Sequence, residues 1–178
     1  MQKYNFELAT NLAITDEEEQ VAMSERLYEA GFGDSLVGFH YSYLNVDCTK
    51  TAEKPGTAIE NAITQLQETT GALVVGVTPS PLASLSEVAD FFKVSRMTIQ
   101  RYQSGERGPG NFPAAAFSSG RRSSQWYLVD VAAWMVKHKL GPEHKLDEAM
   151  ALEQINKTLR NQQMATNQYS EPTASSDE

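Results

Sequence analysis

Between Lys93 and Arg122 the chain gathers side chains suited to recognising phosphates and base edges: Ser95, Arg96, Thr98, Gln100, Arg101, Arg107 and the pair Arg121-Arg122. A guanidinium presents a planar fork of donors that matches phosphate oxygens or the guanine edge, and a carboxamide matches adenine in the same two-pronged way. Arg96 and Gln100 are one helical turn apart, so a helix would carry both on one face. These two are the candidate base contacts. Thr98, Arg101, Arg121 and Arg122 are assigned to phosphates, with Arg107 and Lys93 as secondary candidates. Ser95 and Gln103 lie on the same outward surface.

Other chemistry finds little support. His40, His138 and His144 fall in different expected elements, and the last two are not spaced as a one-face helical pair of metal ligands. Cys48 is the single cysteine, which excludes an intrachain disulfide and a thiolate cluster within one chain. With no base suggested nearby, it reads as a small core hydrophobe. Gly31-Phe32-Gly33 lacks the third glycine of a dinucleotide loop and follows a helix where that loop follows a strand. The serines show no nucleophile elbow. The expectation is a protein without cofactor, metal or enzymatic activity.

The phosphate- and base-reading side chains need elements to hold them. Ser84 and Glu87 have capping-box spacing, so a helix starts near Leu85, with Leu85, Val88, Ala89 and Phe92 on its inner face. Lys93-Val94 makes a turn, and Ser95 offers a second N-cap. The spacing predicts a recognition helix over 95–104, stopped by Gly105, with Ile99 and Tyr102 facing inward. Two short helices joined this way are a helix-turn-helix. Downstream, residues 104–111 are rich in glycine, and 114–117 and 125–129 read as paired strands around a polar tip, 118–124, that carries Arg121 and Arg122. Asp130 then caps a helix with Val131, Trp134 and Met135 turned inward.

The run LSEVADFFKVSRMTIQRY, then GNFPAAAF, then GRRSSQWYLVDVAAWM resembles the winged helix-turn-helix of the MerR and excisionase (AlpA-like) families over roughly residues 82–140. Phe112-Pro113, Trp126, Asp130 and Trp134 stand where the family order places them. Lys93 departs from it, since many such turns carry glycine there. The resemblance implies a double-stranded DNA-binding protein, a transcriptional regulator whose recognition helix enters the major groove while the wing straddles the neighbouring backbone.

Charge is distributed accordingly. The net charge is −8, yet residues 81–140 carry 8 basic and 4 acidic side chains, against 4 and 12 in residues 1–80 and 3 and 7 in residues 141–178. Only the segment with the helix-turn-helix is basic, as a phosphate-binding face must be. No apolar run approaches the roughly 20 residues that span a bilayer, and the N-terminus lacks an export pattern, so no membrane partner and a cytoplasmic location are expected.

The fold class expected is α+β. Tyr4, Phe6 and Leu8 alternate with polar residues as a strand does. Thr15 and Glu18 form a capping box for a helix to about Ala30, burying Val21 and Leu27 with Met23 and Tyr28 beside them. Residues 36–41 and 43–48 read as strands, with Phe39, Tyr41 and Tyr43 as core aromatics. Thr57 caps a second helix to Thr70, whose stripe is Ala58, Ile59, Ala62, Ile63 and Leu66, and 72–77 is a fourth strand. The order βαββαβ is ferredoxin-like over residues 1–78. Residues 79–81 are a stiff linker, 82–140 the winged domain, 141–164 a C-terminal helix and 165–178 a disordered tail. Along that last helix, Leu146, Met150, Leu152, Ile155 and Leu159 leave two options open, a short coiled-coil dimer or packing back on the chain.

The acidic N-terminal domain would repel DNA, so its expected role is to bind a protein partner or to form a homodimer. Two alternatives to a regulator remain: an antitoxin-like interaction protein whose acidic domain binds a protein partner, and an excisionase-like DNA architectural factor.

Overall fold

The computed structural model describes residues 1–118 and 124–168, which form a mixed α+β structure with antiparallel sheets. The first strand, β1 (Gln2–Ala13), buries Tyr4, Phe6, Leu8 and Thr10 on one side. Thr10 is tolerated there because its hydroxyl donates to the Leu44 carbonyl at 2.9 Å. Helix α1 (Glu17–Leu27) is capped by Asp16, not Thr15: its carboxylate accepts from the Glu19 amide at 2.9 Å. Asp16 is the last extended residue, and its charge complements the helix N-terminus better than a hydroxyl. A further turn, Tyr28–Phe32, ends this element, with Gly31 in the left-handed region at φ 98°. Val21 and Tyr28 are exposed, contrary to expectation, because only the stripe of Met23 and Leu27 meets the core.

Strands β2 (Leu36–His40) and β3 (Tyr43–Ala52) form a hairpin in register His40↔Tyr43. Its two turn residues, Tyr41 and Ser42, have φ of 49° and 70°. This is the left-handed geometry whose twist matches that of the strands. The aromatic cluster is therefore not a core: Phe39 packs inward, but Tyr41 sits in the turn, 95% exposed. Helix α2 (Pro55–Thr70) begins two residues before Thr57, with extended Lys54 as N-cap and proline first, where a missing N–H costs nothing. Its expected stripe is buried. Strand β4 (Val74–Thr78) completes a sheet of order β2-β3-β1-β4. Cross-strand neighbours Val77, Leu8, Val46 and Val37 form one inward row of that sheet.

The chain then enters a short strand, β5 (Leu82–Ala83), which pairs with β7 (Ser124–Tyr127). Helices α3 (Leu85–Phe92) and α4 (Arg96–Ser104) lie between them in sequence. Strand β6 (Phe117–Ser118) pairs on the far side of β7, giving the order β5-β7-β6. Helix α5 (Leu128–Lys137) starts at Leu128 with Tyr127 as N-cap, so Val129 is helical and Asp130 lies in the first turn without capping it. The buried Leu128 decides this: its amide bonds the Pro81 carbonyl at 2.8 Å and turns the chain as soon as β7 ends.

Helix α6 (Glu143–Gln168) packs on α5, β4 and α2. Ala149, Leu152, Ile155 and Leu159 are buried within the chain, so its apolar stripe is already used; Met150 faces out. The helix passes Met164 and continues through Gln168, four residues into the stretch expected to be tail. No glycine or proline interrupts it there, and Gln163 anchors its last turns. Residues 169–178 lie outside the described residues. Among the described residues, no helix is long and apolar enough to cross a membrane.

Candidate nucleic-acid interface

Local sequence chemistry sets the geometry of α3 and α4. Ser84 accepts from the Glu87 amide while Glu87 accepts from the Ser84 amide, a complete capping box. Lys93 then adopts the left-handed conformation, φ 55°, so a lysine performs the turn usually given to glycine. Ser95 caps α4: its hydroxyl accepts from the Thr98 amide at 3.1 Å and meets the Thr98 hydroxyl at 2.9 Å. Ser95 and Thr98, expected as ligand contacts, are thus first of all engaged with each other.

Ile99 and Tyr102 anchor α4 in the core. Arg96, Gln100 and Gln103 are exposed at i, i+4 and i+7 and line one side of a groove of about 720 Å³. Its other walls are Phe112–Ala115, the start of β7, and the first turn of α3 with Ser86. Helix α4 contains no acidic residue. Arg101 is exposed on the other flank, and Arg107 stacks its guanidinium over the Tyr102 ring, 5.8 Å from the centroid. The structure therefore brings Arg96, Gln100 and Gln103 together and sets Arg101 and Arg107 apart from them. Arg121 and Arg122, with most of the wing tip, lie outside the described residues.

The wall facing α4 has almost no regular structure, yet it is held firmly. The Trp126 indole donates to the Pro113 carbonyl at 3.0 Å and the Trp134 indole to the Gly110 carbonyl at 3.1 Å. Phe112 sits edge-on to both indoles, and Trp134 also meets Tyr102 at 5.6 Å. Gly108 has φ +88°, and a Cβ there would come within 2.9 Å of the Tyr102 ring, so only glycine fits. The glycine-rich segment thus becomes a shaped wall because aromatic side chains from α4, β7 and α5 pin it.

One outward residue escaped the sequence reading. Met97 is 60% exposed and lies opposite Ile99 and Tyr102, at the crest of α4 between the Arg96–Gln100 and Arg101 flanks. Helical spacing alone marks that position, but an apolar side chain draws no notice in a search for polar contacts. An apolar group there is suited to a thymine methyl. Elsewhere, His138 rests against Trp134 at 5.1 Å, and among the described residues no group of three or more His, Cys, Asp or Glu could hold a metal ion. Compared with protein-family models, curated proteins and solved structures, the chain matches none.

Proposed function

We propose that the chain is a sequence-specific double-stranded DNA-binding protein, a transcriptional regulator, built from a ferredoxin-like unit over residues 1–78 and a winged helix-turn-helix over residues 82–140. The observation that carries this reading is the exposed row Arg96, Gln100 and Gln103 on a capped, acid-free helix beside a groove. Hydrogen bonds from Arg96 and Gln100 to base edges would set the sequence, with Met97 against a thymine methyl. Arg101, and Arg121 and Arg122 from the wing tip, would hold phosphates and set the register. The strand order β2-β3-β1-β4, all antiparallel, supports the ferredoxin-like half, and the order β5-β7-β6 beside α3 and α4 supports the winged half.

Selection of bound sequences from random duplex DNA with the full chain at physiological salt tests the proposal. Enrichment of a defined site, bound with an affinity that falls as salt rises, is the expected result. Equal retention of all sequences, or none, by folded protein would refute sequence-specific binding.

A further inference from the structure

The two edges of the four-stranded sheet are treated differently. At β4 the outward backbone groups are taken up by α6. The Asn156 carboxamide accepts from the Val77 amide at 2.9 Å and donates to the Val77 carbonyl at 3.0 Å, and Gln163 donates to the Val75 carbonyl at 2.7 Å. A helix side chain thereby imitates a neighbouring strand. The opposite edge is β2, with no strand beyond it among the described residues.

The register identifies which β2 groups are left. A hairpin closed by a two-residue turn bonds the flanking pair, His40 and Tyr43, through both backbone groups, and the pattern alternates from there. Leu36, Gly38 and His40 therefore turn their amides and carbonyls toward β3, while Val37 and Phe39 turn theirs to the free edge. The usual protections of such an edge, a charge or a proline, do not occur in Leu36–His40. Apolar surface collects there instead. Leu36 is 72% exposed, Tyr41 stands in the adjoining turn, and Tyr28 lays its exposed ring against Gly33 in the segment leading into β2.

We propose that β2 is a dimerisation strand that pairs antiparallel with β2 of a second copy about a two-fold axis at Gly38, joining the two sheets into one. The pattern of the strand complements itself about that residue. Val37 meets Phe39 of the second copy on the core side, and the two exchange both backbone bonds; Leu36 meets His40 on the open face. Gly38 faces itself as a non-hydrogen-bonded pair, where Cα atoms approach to about 4.5 Å. A missing side chain suits that crossing, and nothing lies within 4 Å of where the Gly38 Cβ would be. The alternative dimer contact, the apolar stripe of α6, is buried within the chain.

Sedimentation equilibrium of the full chain without DNA, across the micromolar range, tests this, so its outcome is separate from that of the DNA proposal. A concentration-dependent dimer is expected. Gly38→Lys places its side chain in open space in the monomer but sets two ammonium groups face to face in the dimer, so a folded monomer with wild-type circular dichroism is expected. Gly38→Cys should give a disulfide-linked dimer on mild oxidation, because the Cα separation lies within disulfide range and the buried Cys48 does not compete. A monomeric wild-type chain, a dimer insensitive to Gly38→Lys, or a dimer that Gly38→Cys does not cross-link would each overturn the proposal.

Discussion

Arg96, Gln100 and Arg101 are exposed on one short helix, yet they face different surroundings. Gln100 stands beside Arg96 in the groove wall, whereas Arg101 points to the opposite flank. On the proposed DNA-binding reading, Gln100→Ala should lower affinity for the preferred site by roughly 1–3 kcal/mol and leave non-specific binding unchanged, while Arg101→Ala should weaken every sequence alike and reduce the salt slope by about one. Titrations of both variants against specific and scrambled duplexes at several salt concentrations separate these outcomes. Lys93 belongs to the same scale. Its left-handed conformation strains a residue with a Cβ. Lys93→Gly should raise the unfolding free energy by about 0.5–1 kcal/mol in denaturant titrations.

Among the elements, α6 decides the most. Its register places Asn156 against both backbone groups of Val77, so one side chain replaces a rung of sheet. Asn156→Ala would leave those two groups without a partner beneath the helix. A loss of roughly 1–3 kcal/mol is expected, with faster hydrogen exchange at the Val77 amide. Helix α5 behaves otherwise. Its start was expected at Asp130, but the buried Leu128 and its bond to Pro81 draw the helix forward, so a side chain suited to capping ends up inside the first turn. A cap acts only if the backbone leaves it extended, and tertiary contacts settle where that happens.

At the scale of the whole molecule, one core runs from the β2-β3-β1-β4 sheet through α6 to the aromatic residues around Trp134. Cys48 is fully buried in it, and burial pushes its thiol up from 9.0 to about 11, the neighbouring Ser35 hydroxyl and Lys50 offsetting only part. A raised acid holds its proton longer when folded, so this contribution is fully present below pH 9 and is lost as pH rises toward 11. Stability should therefore fall by about 2–3 kcal/mol across that window. Cys48→Ala should be less stable at neutral pH but lose less over the same range. Tyr4 is displaced in the same direction by burial and by the Glu148 and Asp147 carboxylates, which leaves the variant a residual slope. Denaturant melts at stepped pH report both effects, and thiol reagents should label Cys48 only on unfolding.

Features that depend on near neighbours were legible in the sequence. The Ser84–Glu87 capping box, the Ser95 cap, the inward Ile99 and Tyr102, the stripe of α2 and the alternation of β1 follow from helical and strand periods, which local spacing records. The outward positions of Arg96, Gln100 and Arg101 follow from the same geometry, so much of the candidate surface was legible. Long-range packing, by contrast, is what makes Arg96 and Gln100 share a groove with Phe112–Ala115, has indole donors hold that wall, and makes Leu82–Ala83 a strand. It also decided that α6 closes one sheet edge and leaves β2 bare. Each of these depends on partners distant along the chain, from 13 residues for Trp126 and Pro113 to 79 for Asn156 and Val77, and a one-dimensional pattern records a residue's own preference without recording who receives it.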